Sequence, residues 1–305
     1  MTASIDDDSN TPDEPNAAAA APPEESQPAP DQPGRWAALP RRLRMAIVAL
    51  GAAAIVLALV KIVVEVRDRS DPVDTAAIVK QFDEAEGGSD GNAETELASG
   101  AFVYNAKGTE YVDLLGGPLH EFPPEVVTTT TGNDCGGSTV RLKLFEQRDD
   151  ELVLCATEEG DLSLQSFTTR HEFVGVKDET ITTCPEATVW PAGLFQLDTR
   201  PKATVKCTAS GDMVGTVPAV LTSEVLGHES VTVDGTKVDT QRLRISTVVG
   251  TKGTTTYGTY DNDFWVTEEG VVVRRTLDAN VSAKTPAGQV GFKESYDLFL
   301  QELPA

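Results

Sequence analysis

Residues 271–282 read VVVRRTLDANVS. Val271, Val273, Leu277, Ala279 and Val281 fall on one face, and Val272, Arg274, Thr276, Asp278, Asn280 and Ser282 on the other. This period of two belongs to a strand with one apolar side. Arg275 alone puts a charge on the apolar face. The next run repeats the pattern: Val290, Phe292, Tyr296, Leu298 and Leu300 alternate with Lys293, Ser295, Asp297 and Gln301, and Glu294 is its one exception.

Working outward, the runs are joined by turn chemistry. Asp234-Gly235 is a two-residue hairpin signal and Thr251-Lys252-Gly253 a three-residue one, while Glu269-Gly270 and Pro286-Ala287-Gly288 serve the last two connections. Consecutive strands joined this way form a meander. Further upstream, 138–147 is expected to pair with 151–157 around a turn at Asp149-Asp150, and 161–176 reads as one long strand that must curve or cross between sheets. No stretch after Gly100 sustains a helical period. The prediction for residues 101–305 is a mainly β domain, a curved antiparallel sheet, half-barrel or barrel-like meander, large enough to bury one core.

Residues 45–64, MAIVALGAAAIVLALVKIVV, are broken only by Lys61 and are long enough to cross a hydrocarbon layer about 30 Å thick as one helix. A cleaved signal peptide would have a shorter apolar region ending in small residues, whereas branched residues fill the far end here, and no Cys follows to carry a lipid. The reading is an uncleaved single-pass signal anchor. Residues 1–44 form an acidic, Pro/Ala-rich tail whose first 34 residues hold eight acids and no Lys or Arg, a composition expected to be disordered. Residues 65–100 read as a juxtamembrane helix over 74–86 followed by a Gly/Ser-rich linker.

Cys135, Cys155, Cys184 and Cys207 all follow the span and show no CxxC spacing, so they read as disulfides rather than a metal site. Three pairings are open; Cys135 with Cys155 and Cys184 with Cys207 are favoured because each encloses a short loop around a turn. An oxidising compartment, together with Arg41, Arg42 and Arg44 before the span, places the N-terminus in the cytoplasm and the β domain outside.

Catalytic signals are sparse. His120, His171 and His228 are in no metal-binding spacing and read as structural or surface residues. There is no nucleophile elbow, phosphate loop or HExxH, and the pairs Asp149-Asp150, Glu158-Glu159 and Glu268-Glu269 read as solvated turns. No cofactor is expected. Asn280-Val281-Ser282 matches a glycosylation sequon. From residue 65 onward there are 20 basic and 40 acidic residues, so nucleic acid is not an expected partner.

The segments GAFVYNAKGTEYVDLLGGPLHEFP (100–123), VDGTKVDTQRLRI (233–245) and NDFWVTEEGVVVRR (262–275), set behind a one-pass anchor, resemble uncharacterised membrane-anchored proteins of actinobacteria. The closing half resembles the half-barrel domains of LolA and LppX type, a likeness that implies a curved sheet sheltering acyl chains. The expected partners are the bilayer, through the anchor helix, and an apolar or lipid-like ligand or an envelope protein. Trp190, Phe195, Tyr257, Tyr260, Phe264 and Trp265 are the candidate lining residues. The alternative is a cell-envelope hydrolase using carboxylates that the sequence does not single out.

Orientation is directly testable. A reporter that matures only outside the cytoplasm, fused behind Ala305, should be active. A silent fusion, with a cytosolic reporter active at the same position, overturns the topology.

Overall fold

The computed structural model describes residues 70–86, 97–113, 119–173, 176–212, 215–285 and 288–304, together with positions 40, 42, 45 and 50. The chain divides into two compact units, Met1–Val56 and Leu57–Ala305. In the first, Arg42, Met45 and Leu50 are helical, and Met45 and Leu50 are exposed. The expected tail, most of the expected span and the linker at 87–96 lie outside the described residues. Among the described residues no helix is long and apolar enough to cross a membrane.

The second unit opens with α1 (Thr75–Glu86), whose start is capped by Asp74: its Oδ1 accepts the Ala77 amide at 2.9 Å. Then come β1 (Gly100–Asp113), β2 (Leu119–Glu121), β3 (Glu125–Gly132), β4 (Ser138–Phe145), β5 (Arg148–Ala156), β6 (Leu162–Phe173) and β7 (Val176–Trp190). A 3-10 turn at Leu194–Gln196 leads to β8 (Arg200–Gly211), β9 (Gly215–Val233), β10 (Thr236–Gly250), β11 (Thr256–Val266), β12 (Val272–Thr285) and β13 (Gly288–Leu300).

Every pairing is antiparallel, and each strand lies beside its sequence neighbour. β2 and β3 share one edge of β1, so they are a single stave interrupted at Phe122-Pro123-Pro124, where prolines cannot donate to a ladder. The sheet does not stop at β13. A ladder from Tyr104 opposite Leu300 to Asp113 opposite Gly291 joins β1 to β13 and closes an up-and-down barrel of twelve staves. The curved sheet and the half-barrel among the expectations thus give way to a closed barrel, because its first and last strands complete each other's hydrogen bonds.

Two local readings are corrected. The β4–β5 turn falls at Glu146-Gln147, so Asp149 and Asp150 lie inside β5, and the expected long strand at 161–176 is the whole of β6 with the first residue of β7. The turn moves because Arg148, Asp150, Leu152 and Leu154 share the inward face of β5 and all four are buried. Asp234-Gly235 is the expected hairpin turn, with both residues at positive φ (45° and 76°).

The barrel is apolar inside and polar outside. Along β12, Val273, Leu277, Ala279 and Val281 are buried, while Asp278 and Asn280 are exposed, the reverse of a membrane barrel with its lipid-facing apolar band. The interior holds two apolar clusters, one around Leu154, Leu164, Trp190, Leu221 and Leu243, the other around Tyr104, Val126, Leu144, Val273 and Leu298. Facing walls meet. Trp190 on β7 packs edge-on against Phe264 on β11 at 5.5 Å, while the Tyr104 hydroxyl on β1 reaches past β13 and donates to the Val272 carbonyl on β12 at 2.7 Å. Side chains of these two clusters occupy much of the interior.

The two disulfides join Cys135 to Cys155 and Cys184 to Cys207. The second staples a seam. β7 and β8 pair only from Thr180 opposite Gly211 to Thr183 opposite Thr208; the cystine is the next rung, and beyond it Pro185 has no amide proton to donate. Above the seam, Ser223 on β9 donates to the Thr188 carbonyl on β7 at 2.9 Å. All strand pairings, both cores and both disulfides lie within residues 70–304, which therefore contain all that an independently folding domain needs.

Cys135 is exposed, whereas Cys184 and Cys207 are buried. Mild reduction of the native domain followed by alkylation should therefore label Cys135 and Cys155 and spare the other pair. Cys184→Ser with Cys207→Ser should lower unfolding free energy by about 3 kcal/mol, as expected for a loop of this length. Equal labelling of all four cysteines would refute the staple.

Candidate functional site

Inward positions of four staves bring ionisable groups into the barrel: Glu110 on β1, Arg148 and Asp150 on β5, His171 on β6 and Glu294 on β13. Arg148, 2% exposed, is the centre. Its Nη2 donates to Glu294 Oε2 at 2.9 Å, its Nη1 lies 2.7 Å from Asp150 Oδ1, and its Nε lies 3.9 Å from Glu110 Oε2. His171 Nε2 is 3.2 Å from Glu110 Oε1, and its ring packs edge-on against Phe145 and Phe292. Among the described residues, both Asp150 oxygens, Glu294 Oε1 and the Tyr296 hydroxyl have no well-aligned hydrogen-bond partner, so the Arg148–Asp150 contact is a close charge pair rather than a directed bond.

One guanidinium cannot balance three carboxylates in a dry interior. Burial pushes the Glu294 carboxyl up to about 7; Arg148 pulls it down, and Asp150 and Glu110 raise it further. Burial opposes charge on Arg148, but Asp150, Glu294 and Glu110 together override it and hold its proton more tightly than usual.

Beside this cluster lies a cavity of about 130 Å³. Its wall is mostly apolar: Leu152, Leu164, Phe167, Leu221, Ile245 and Phe264 from one side, Val281, Val290 and Phe292 from the other. Half-buried Val112, Asp178, Thr180 and Thr247 form its outer part together with buried His171, which stands opposite Asp178 in the ladder, and buried Asn262 and Arg275 form its inner part. Arg275 donates through Nε and Nη2 to Asn262 Oδ1 at 3.4 and 3.2 Å, and its guanidinium lies over the rings of Phe264 and Tyr296 at 5.1 and 5.6 Å. An engineered apolar cavity of comparable size, about 150 Å³, takes up benzene.

Of the six aromatic candidates, Tyr260 and Phe264 stand in the cavity wall. Trp190 packs behind Phe264, and Phe195 lies on the β7–β8 connection with its ring 5.1 Å from His228. Tyr257 and Trp265 have the opposite strand parity from Tyr260's neighbours Asn262 and Phe264. Trp265 is covered outside by Arg242 and Arg274, at 4.7 and 4.5 Å, and donates its Nε1–H to Glu229 at 2.7 Å. Of the histidines, His171 belongs to the buried cluster, while His120 Nδ1 lies 3.4 Å from Ser70 Oγ. Among the described residues no group of three or more His, Cys, Asp or Glu could hold a metal ion. Nothing in the sequence singles out Glu110 or Arg148, and Asp150 reads there as a turn acid, whereas Arg275 and Glu294 stand out as breaks in the strand alternation.

No known protein family matches the chain, and no curated protein does. Among solved structures it is similar to the hypothetical lipoprotein YmcC of Escherichia coli K12, with a TM-score of 0.34 and 12% identity over 66% of this chain and 85% of that one. A likeness of that order carries no inference about this chain.

Glu294 gives the cluster a pH signature. Its carboxyl is raised from 4.5 in the unfolded chain to about 7, so the native state keeps a proton that the unfolded chain has released. Its contribution to stability is complete below about 4.5 and is lost as pH rises through 7. Glu294→Gln stays neutral throughout, so denaturant unfolding should show the variant gaining on the wild type between pH 5 and 8. Parallel pH profiles would sink the assignment. Arg148→Met, which strands the carboxylates, should cost about 3–5 kcal/mol.

Proposed function

We propose that this chain is a membrane-tethered extracytoplasmic binding module whose barrel takes an apolar or lipid-like ligand into its internal cavity. The observation that carries the reading is the cavity itself: a void inside the barrel, apolar along most of its wall and polar at its inner end. Ligand sites have this composition, with a few polar groups fixing orientation.

The attachment of the chain supports the same reading. Ser70 and Asp71 dock beside His120 and Gln147: the Asp71 amide donates to Gln147 Oε1 at 3.1 Å, and Gln147 Nε2 returns a bond to Asp71 Oδ2 at 2.9 Å. His120 is opposite Glu110 in the ladder, and Arg148, next to Gln147, is opposite His171, so the docking point is on the barrel end where Val112 and His171 border the cavity. Five residues separate Val64 from Ser70, and the six Cα-to-Cα steps reach at most about 20 Å. With a membrane anchor at 45–64, the bilayer is a ready reservoir of apolar ligand.

A hydrolase is the second reading. It draws on the convergence of Glu110 with His171, at 3.2 Å, next to Asp150 and Glu294. These carboxylates are committed to buried Arg148, which favours a structural use over attack on a substrate.

The binding reading is tested by purifying residues 70–305 from the native envelope and extracting them for mass spectrometry. A stoichiometric amphiphile should be recovered from the wild type and lost from Ala283→Phe, which fills the cavity without removing a buried contact. Recovery of the same species from both proteins, or of none from either, would refute it.

A further inference from the structure

The two buried arginines of the barrel are treated differently. Arg148 has three carboxylates within 4 Å. Arg275, 5% exposed, has none among the described residues: its contacts are one amide oxygen and the faces of two rings. The surplus acid around Arg148 lies beyond ion-pair distance of Arg275, and so does Asp178, the one acidic side chain in the cavity wall. A guanidinium does not shed its proton inside a protein, so desolvation falls on a full charge. Pairing with a carboxylate through parallel hydrogen bonds is the arrangement that compensates it best.

That uncompensated cation forms part of the wall of an apolar cavity. A neutral hydrocarbon would fill the space and leave the charge as it is. An anion on the end of the chain would answer both features at once. Resting on the binding reading above, we propose that the ligand is a single-chain amphiphile with an anionic head, a fatty carboxylate in its simplest form. Its head pairs with Arg275 at the inner end and its chain runs past Ile245, Val281 and Val290 toward the outer part of the cavity. Asn262 then has a second role: its side-chain oxygen holds two guanidinium donors and orients the remaining ones.

The test is calorimetric titration of lipid-stripped residues 70–305 with decanoate and with decan-1-ol, which share a chain length and differ in head charge. Decanoate should bind roughly ten- to a hundredfold more tightly, the range of a charge-assisted hydrogen bond over a neutral contact. Arg275→Gln should bring decanoate down to the alcohol's affinity and leave the alcohol unchanged. Because that variant bears on packing as well, Asn262→Asp supplies an independent arm. It places a carboxylate where the amide oxygen already touches Arg275, so the cation is satisfied from within and the preference for decanoate should vanish in a folded protein. Equal affinities in the wild type, or a preference that survives both substitutions, overturns the anionic-head assignment while leaving an apolar site in place. Binding of neither probe overturns the site as well.

Discussion

The pairing of β1 with β13 is the constraint from which the rest of this structure follows. It joins residues almost two hundred positions apart, and it removes the last open edge of the sheet. Once the edge is gone, every inward side chain is committed to an interior largely cut off from water, where an unpaired charge is costly. Glu110 and Glu294 stand directly opposite each other in this closing ladder, two like charges on the seam itself. Left alone they would push β1 and β13 apart. Arg148, reaching across from β5, and the raised pKa of Glu294 together make closure compatible with that pair. The charge cluster is therefore best understood as the condition for closing the barrel.

Much of this was legible in the sequence because a strand's period is so short. The alternation in 271–282 and 290–301 fixes which residues face inward, and the meander follows from turn chemistry at Asp234-Gly235 and Glu269-Gly270. Closure was not legible, since nothing in β1 alone names β13 as its partner. Asp149-Asp150 misled for a related reason: two acids between apolar runs look like a turn until the pairing of Arg148 with His171 sets the register and shows that Asp150 points inward. The aromatic candidates divide on the same principle. Tyr260 and Phe264 share parity with Asn262 and reach the cavity, whereas Tyr257 and Trp265 have the other parity, a distinction that counting by twos along β11 makes available without any structure.

The cysteines show what spacing can and cannot indicate. Short loops favoured the two pairings found, because neighbouring strands of a meander place such positions close together. What spacing could not show is that the bonds have different tasks. Cys135–Cys155 ties the exposed β3–β4 turn to β5, a local restraint. Cys184–Cys207 stands at the rung where the β7–β8 ladder ends, so it substitutes a covalent link for hydrogen bonds that Pro185 and the parting strands do not make. A barrel closed by hydrogen bonds at one seam is thus held by sulfur at another.

Packing inside the barrel leaves the cavity small. Trp190 against Phe264 fills space on one side, and the Arg148 cluster occupies space beside the void. What remains is the region whose outer part is bordered by Val112, Asp178 and Thr180. The same end carries the docked residues Ser70 and Asp71, so the site and the incoming chain are held by one set of strands. A core that needed only to be filled could have placed Leu or Met at position 275, as 273 and 277 are Val and Leu on the same face. Instead the strand keeps a guanidinium there, seated on Asn262 and two aromatic rings and bordering the void. Packing alone gives no reason for that choice, whereas an anionic guest does.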